Sequence, residues 1–76
     1  MSNDNVDKEM RFGVVAINKG YVTPEQVIEA LNIQVKEDIS AGKHRRVGEI
    51  LFELGYLTDM HLDEVLKELG KQIDNT

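Results

Sequence analysis

Two arginines in this 76-residue chain each stand two residues before a glycine, at Arg11-Phe12-Gly13 and Arg46-Val47-Gly48. A guanidinium is planar and permanently charged, so it can stack on an aromatic ring while pairing with oxygen acceptors. Glycine inside a helix costs roughly 1 kcal/mol relative to alanine. Its recurrence at one spacing indicates that something needs the backbone bare. A flat ligand lying on the glycine beside the arginine satisfies that need, and so does a closely packed helix.

Other chemistry is poorly provided for. No Gly-x-x-x-x-Gly-Lys-[Ser/Thr] phosphate loop occurs. Between residues 7 and 70 the hydroxyl side chains besides the tyrosines are Thr23, Ser40 and Thr58, and two of them read as helix caps. His44 and His61 stand 17 residues apart, without the short pairing of a metal site. The pairs Glu25/Glu29 and Asp59/Asp63 have i,i+4 spacing and read as solvated helix faces. The expectation is a protein that is not an enzyme, with no catalytic residue, metal or cofactor.

The two arginine sites belong to a larger repeat. At an offset of 35, Arg11/Arg46, Gly13/Gly48, Gly20/Gly55, Tyr21/Tyr56, Thr23/Thr58 and Leu31/Leu66 coincide. Residues 11–34 and 46–69 are therefore two copies of one unit, and such a period governs the fold. Two half-sites related by pseudo-symmetry suit a ligand that is itself two-fold repetitive.

The elements that position these residues are helical. Met10, Val14 and Ile17 mark one face of a helix over 7–18, closed by Gly20. Thr23, Pro24 and Gln26 form an N-terminal capping box with proline at the first helical position. The helix that follows has Val27, Ile28, Leu31 and Val35 on its apolar face, extended by Ile39 and stopped by Gly42. In the second copy Val47, Ile50, Leu51 and Leu54 give a short helix ended by Gly55. Thr58 caps the last, whose apolar face is Leu62, Val65, Leu66 and Leu69 and whose end is Gly70. The fold class is all-α, a small four-helix bundle built from two tandem helical hairpins. Residues 1–6 and 71–76 read as tails around one domain over 7–70. Tyr21 and Tyr56 cover the hairpin ends.

Composition narrows the partners. Net charge is −5, which disfavours a binder of DNA or RNA that works by neutralising phosphates. The basic cluster Lys43, His44, Arg45 and Arg46 is local: it is either a small anion site or a solvated connector. With no cysteine, neither disulfides nor thiolate metal sites contribute. No apolar run has the roughly 18–20 residues of a membrane span, and the polar N-terminus does not read as a secretory signal. A cytoplasmic protein without direct membrane insertion is expected.

The repeated pattern resembles the MshEN-type domain, the N-terminal domain family of type II secretion and type IV pilus assembly ATPases. The first copy carries Arg11-Phe12-Gly13, Ala16-Ile17, Gly20-Tyr21-Val22, Val27, Leu31 and Gln34. The second carries Arg46-Val47-Gly48, Leu51-Phe52, Gly55-Tyr56-Leu57, Leu62 and Leu66, with Leu69 where the pattern has glutamine. The resemblance spans 11–69 and implies binding of cyclic di-GMP, a bacterial second messenger, each copy gripping half of the dinucleotide. By the same resemblance Arg11 and Arg46 contact guanine or phosphate, and Gly13 and Gly48 admit the ligand to the backbone. Phe12, Val47, Val27, Leu31, Leu62 and Leu66 supply apolar contact, and Gln34 a polar one. Leu69, Ala16 in place of a larger aliphatic residue, and the 11 residues between the copies depart from the pattern.

The alternative function is a protein–protein adaptor of the same type without nucleotide binding, whose partner is a secretion, pilus or motility protein. Tetratricopeptide-like repeats fit poorly, because glycine falls early in each first helix. A helix-turn-helix DNA reader would turn Glu25, Glu29, Asp59, Asp63 and Glu64 toward phosphates.

Overall fold

The structure, a computed structural model, describes residues 4–42 and 45–74. Lys43 and His44 of the basic cluster, and the ends of both tails, lie outside the described residues. Four helices follow in order: α1 (Asp4–Asn18), α2 (Pro24–Ser40), α3 (Val47–Glu53) and α4 (Asp59–Asp74). The all-α, four-helix class holds.

The turn chemistry is duplicated. Gly20 and Gly55 take positive φ, 81° and 87°, a conformation that costs glycine nothing. Behind them Tyr21 donates its backbone N–H to Ala16 O, and Tyr56 to Leu51 O. This closure satisfies a carbonyl left open at each helix end. At the start of α2 the capping box forms, with Gln26 N–H donating to Thr23 Oγ1 at 3.2 Å and Thr23 N–H to Gln26 Oε1 at 3.0 Å. His61 is the equivalent of Gln26 at offset 35. Its N–H donates to Thr58 Oγ1 at 3.1 Å, while its Nδ1 accepts from Thr58 N–H at 3.3 Å. Tyr21 stacks on the same imidazole, ring centres 4.0 Å apart. Tyr56 instead donates its hydroxyl to Glu29 on α2.

The core is pseudo-symmetric. Buried residues pair across the copies at offset 35 as Phe12/Val47, Val15/Ile50, Ala16/Leu51, Val22/Leu57 and Ala30/Val65. The expected face of α1 is corrected by this: Met10 and Val14 are each about half exposed, and Phe12, Val15 and Ala16 turn inward. Almost every residue over 12–17 is apolar, so periodicity alone does not select a face, whereas the register with α3 does. On α2 the buried face is Val27, Ala30 and Gln34, with Leu31 and Ile33 half-buried. Ile28, Val35 and Ile39 face out, the last 81% exposed. Leu54 and Leu66, also expected inside, are exposed.

Helix packing crosses the copies. α1 packs chiefly on α4 and α2 chiefly on α3, more than either helix packs on its own hairpin partner. Two helix ends also differ from expectation. α1 begins at Asp4, and α4 runs through Gly70 to Asp74. Gly70 lacks the positive φ of the turn glycines. Its offset-35 counterpart is Val35, inside α2, so the repeat itself calls for helix at that point.

Candidate functional site

A groove of about 450 Å³ opens between α1, the start of α3 and α4. Phe12, Leu62, Leu66 and Leu69 form its apolar wall, Gly48 and Gly70 also line it, and Arg11, Arg46, Glu9 and Glu49 provide its charges. The volume lies within the range of small-molecule sites. Among the described residues neither the Arg11 nor the Arg46 side chain has an ion-pair partner. An apolar wall beside two unpaired guanidinium groups suits a flat anion with a large aromatic surface.

The residues around position 46 are closely fastened. Arg45 donates Nε to Glu37 Oε1 at 2.9 Å and Nη2 to Glu37 Oε2 at 2.7 Å, and it pairs through Nη1 with Glu53. Hydrogen bonds to Glu37 and then Glu53 raise its pKa above the ordinary arginine value. Arg46 donates its N–H to Glu49 Oε1 at 3.0 Å. Val47 donates its own to Glu9 Oε1 at 2.7 Å, across 38 residues of sequence. Glu9 is only 7% exposed, and its carboxylate caps the positive end of α3. Arg46 and Gly48 thus stand on a helix start held from α1.

The expected site residues divide into two groups. Arg11, Phe12, Arg46, Gly48, Leu62 and Leu66 line the groove, joined by Leu69. Gly13, Val27, Leu31, Gln34 and Val47 do not. A Cβ on Gly13 would stand 2.7 Å from Val27 Cγ1, so Gly13 serves close packing between α1 and α2. Gly48 is bare for a related reason: a Cβ there would meet Phe12 Cζ at 2.7 Å. Val47 is wholly buried and Leu31 half-buried against the core. Gln34, 7% exposed, donates Nε2 to the carbonyl of Arg45 at 2.9 Å.

Glu9, Glu49 and Gly70 were not among the expected residues. Glu49 had a local signal, since it lies three residues after the residue that precedes α3. Glu9 had none, because its partner is distant in sequence and its counterpart at offset 35 is His44.

Fold and groove together define a small all-α domain with an arginine-rimmed apolar groove. Comparison with known protein families, characterised proteins and solved structures finds no match to this chain. Among the described residues no helix is long and apolar enough to cross a membrane.

Proposed function

We propose that the chain is a non-catalytic receptor domain for cyclic di-GMP, of the MshEN type that its repeated motif resembles. The observation that carries the reading is the convergence of Arg11, from the first copy, and Arg46, from the second, on one apolar groove. The groove wall offers the hydrophobic burial that a purine face requires. The guanidinium groups are suited to base oxygens and phosphate. Binding that rests largely on apolar contact depends less on salt than phosphate pairing does.

Calorimetric titration with cyclic di-GMP, alongside GTP and linear pGpG, tests the proposal. Heat saturating at micromolar cyclic di-GMP, with weaker GTP binding, supports it. No heat at high-micromolar ligand transfers the assignment to the second reading, an adaptor for a secretion, pilus or motility protein. Two observations favour that reading: Leu69 lies in the groove where the motif has glutamine, and α2 turns Ile28, Val35 and Ile39 to solvent.

A further inference from the structure

α2 carries an apolar stripe on the side turned away from the core. Ile28, Val35 and Ile39 are each more than half exposed, and Asn32, also exposed, completes the row. The spacing 28, 32, 35, 39 keeps all four within one narrow strip of a helix, as the seam of a coiled coil does. The fold does not require an apolar strip there. At offset 35 the same four positions of α4 read Asp63, Lys67, Gly70 and Asp74, and Asp63 and Lys67 pair with each other at 3.2 Å. The second copy thus gives this position to water, where the first fills it with isoleucine and valine.

The charges beside the stripe indicate what covers it. Glu29 and Lys36 are both exposed and flank the strip on the same side, about two helical turns apart. Let two such helices meet antiparallel about a two-fold axis near residues 33 and 34. Ile28 of each chain then faces Ile39 of the other, and Val35 faces Asn32. The same rotation sets Glu29 of each chain against Lys36 of the other, so two opposite-charge pairs form along one edge. A parallel pairing forms neither. Glu29 Oε1 accepts the Tyr56 hydroxyl, which steadies the carboxylate and leaves its second oxygen for the lysine.

We infer that the outer face of α2 is a self-association surface, on which a second copy of this chain packs antiparallel to form an isologous dimer. The inference is independent of the nucleotide reading. Apolar contact along the stripe supplies the attraction, and the Glu29–Lys36 pairs select the antiparallel orientation and this register. None of the residues lining the groove lies on α2, so the dimer presents two open grooves.

Sedimentation equilibrium from low-micromolar to millimolar chain tests this, with helical circular dichroism confirming that each variant is folded. The wild type should rise from 8.6 kDa toward twice that mass. Val35→Asp puts a carboxylate at the centre of the stripe, at an exposed position, and should hold the chain monomeric throughout. Glu29→Lys and Lys36→Glu each turn two attractive pairs into repulsive ones and should weaken association about tenfold. Mixed in equal amounts, these two variants should dimerise as tightly as wild type, because each then meets the opposite charge at both positions. A wild type that stays monomeric at millimolar concentration overturns the inference and leaves the stripe to a foreign partner. A dimer that persists in Val35→Asp uses another surface and overturns it equally. So do charge variants whose mixture associates no better than either alone.

Discussion

Replacing Glu9 with alanine removes the acceptor for the Val47 N–H at a buried helix start. Glu9 Oε1 lies 2.7 Å from that nitrogen, the carboxylate is 7% exposed, and Val47 has no exposed surface. Water cannot readily take over the bond, so the orphaned N–H costs about 1–3 kcal/mol. The lost attraction between carboxylate and helix dipole adds up to about 1 kcal/mol. A loss of about 3 kcal/mol is large for a domain of this length, whose total stability is on the order of 4–11 kcal/mol. Thermal unfolding followed by circular dichroism should show a midpoint lower by about 10–20 °C. Glu9→Gln keeps an oxygen acceptor and loses only the charge, so its loss should be about 1 kcal/mol. The order wild type, Glu9→Gln, Glu9→Ala is the signature of the cap. If Glu9→Ala lies within about 0.5 kcal/mol of wild type, or Glu9→Gln is the worse variant, the bond does not hold α3 in place and the account of how Arg46 is positioned fails.

Gly13→Ala drives a methyl against Val27 and should destabilise by about 1–2 kcal/mol in urea unfolding, overpacking outweighing the better helix propensity. Gly70→Ala meets nothing within 4 Å and should instead gain up to about 1 kcal/mol; equal effects at the two sites would contradict the packing described. Arg46→Ala should abolish or sharply reduce cyclic di-GMP binding with the helical spectrum intact, and unchanged affinity would remove Arg46 from the site. Leu69→Gln should tighten the same titration by placing a polar group in the groove, whereas no change means that the motif's register stops short of residue 69. The Tyr56 hydroxyl donates to Glu29, which raises its pKa above the usual tyrosine value. A group whose folded pKa is raised stabilises fully below its unfolded value of about 10 and ceases to do so as pH rises through the folded value. Alkaline unfolding should therefore be shallower in Tyr56→Phe, and identical pH profiles would refute the bond.

The repeat made most of the fold legible. Glycine, tyrosine and threonine at offset 35 located both turns, both caps and all four helices, because turn chemistry is local. Helix faces were harder. In the apolar run over 12–17 periodicity has no contrast, and Met10 and Val14 have helical spacing yet face solvent. Pairing Phe12, Val15 and Ala16 with Val47, Ile50 and Leu51 resolves the face, and that signal was present in the sequence. Of the candidate site, Arg11, Phe12, Arg46, Gly48, Leu62 and Leu66 were legible through the motif and do meet. Gln34 belongs to the same motif resemblance, but a connector carbonyl 11 residues away takes its amide. Glu9 acts on Val47 from 38 residues away, and such tertiary ties leave no local trace.

Because α1 rests chiefly on α4 and α2 on α3, neither copy is a folding unit by itself. A fragment ending near residue 42 leaves each of its helices without its main partner. Mixed with the complementary fragment it should regain structure, as intermolecular recognition replaces the covalent connector. The same interleaving would let two intact chains exchange their second copies and rebuild every contact between the copies in trans. Exchange of this kind would conserve the core and give a dimer at high protein concentration. The connector that links the copies would then govern association state, with a shorter one favouring the exchanged form.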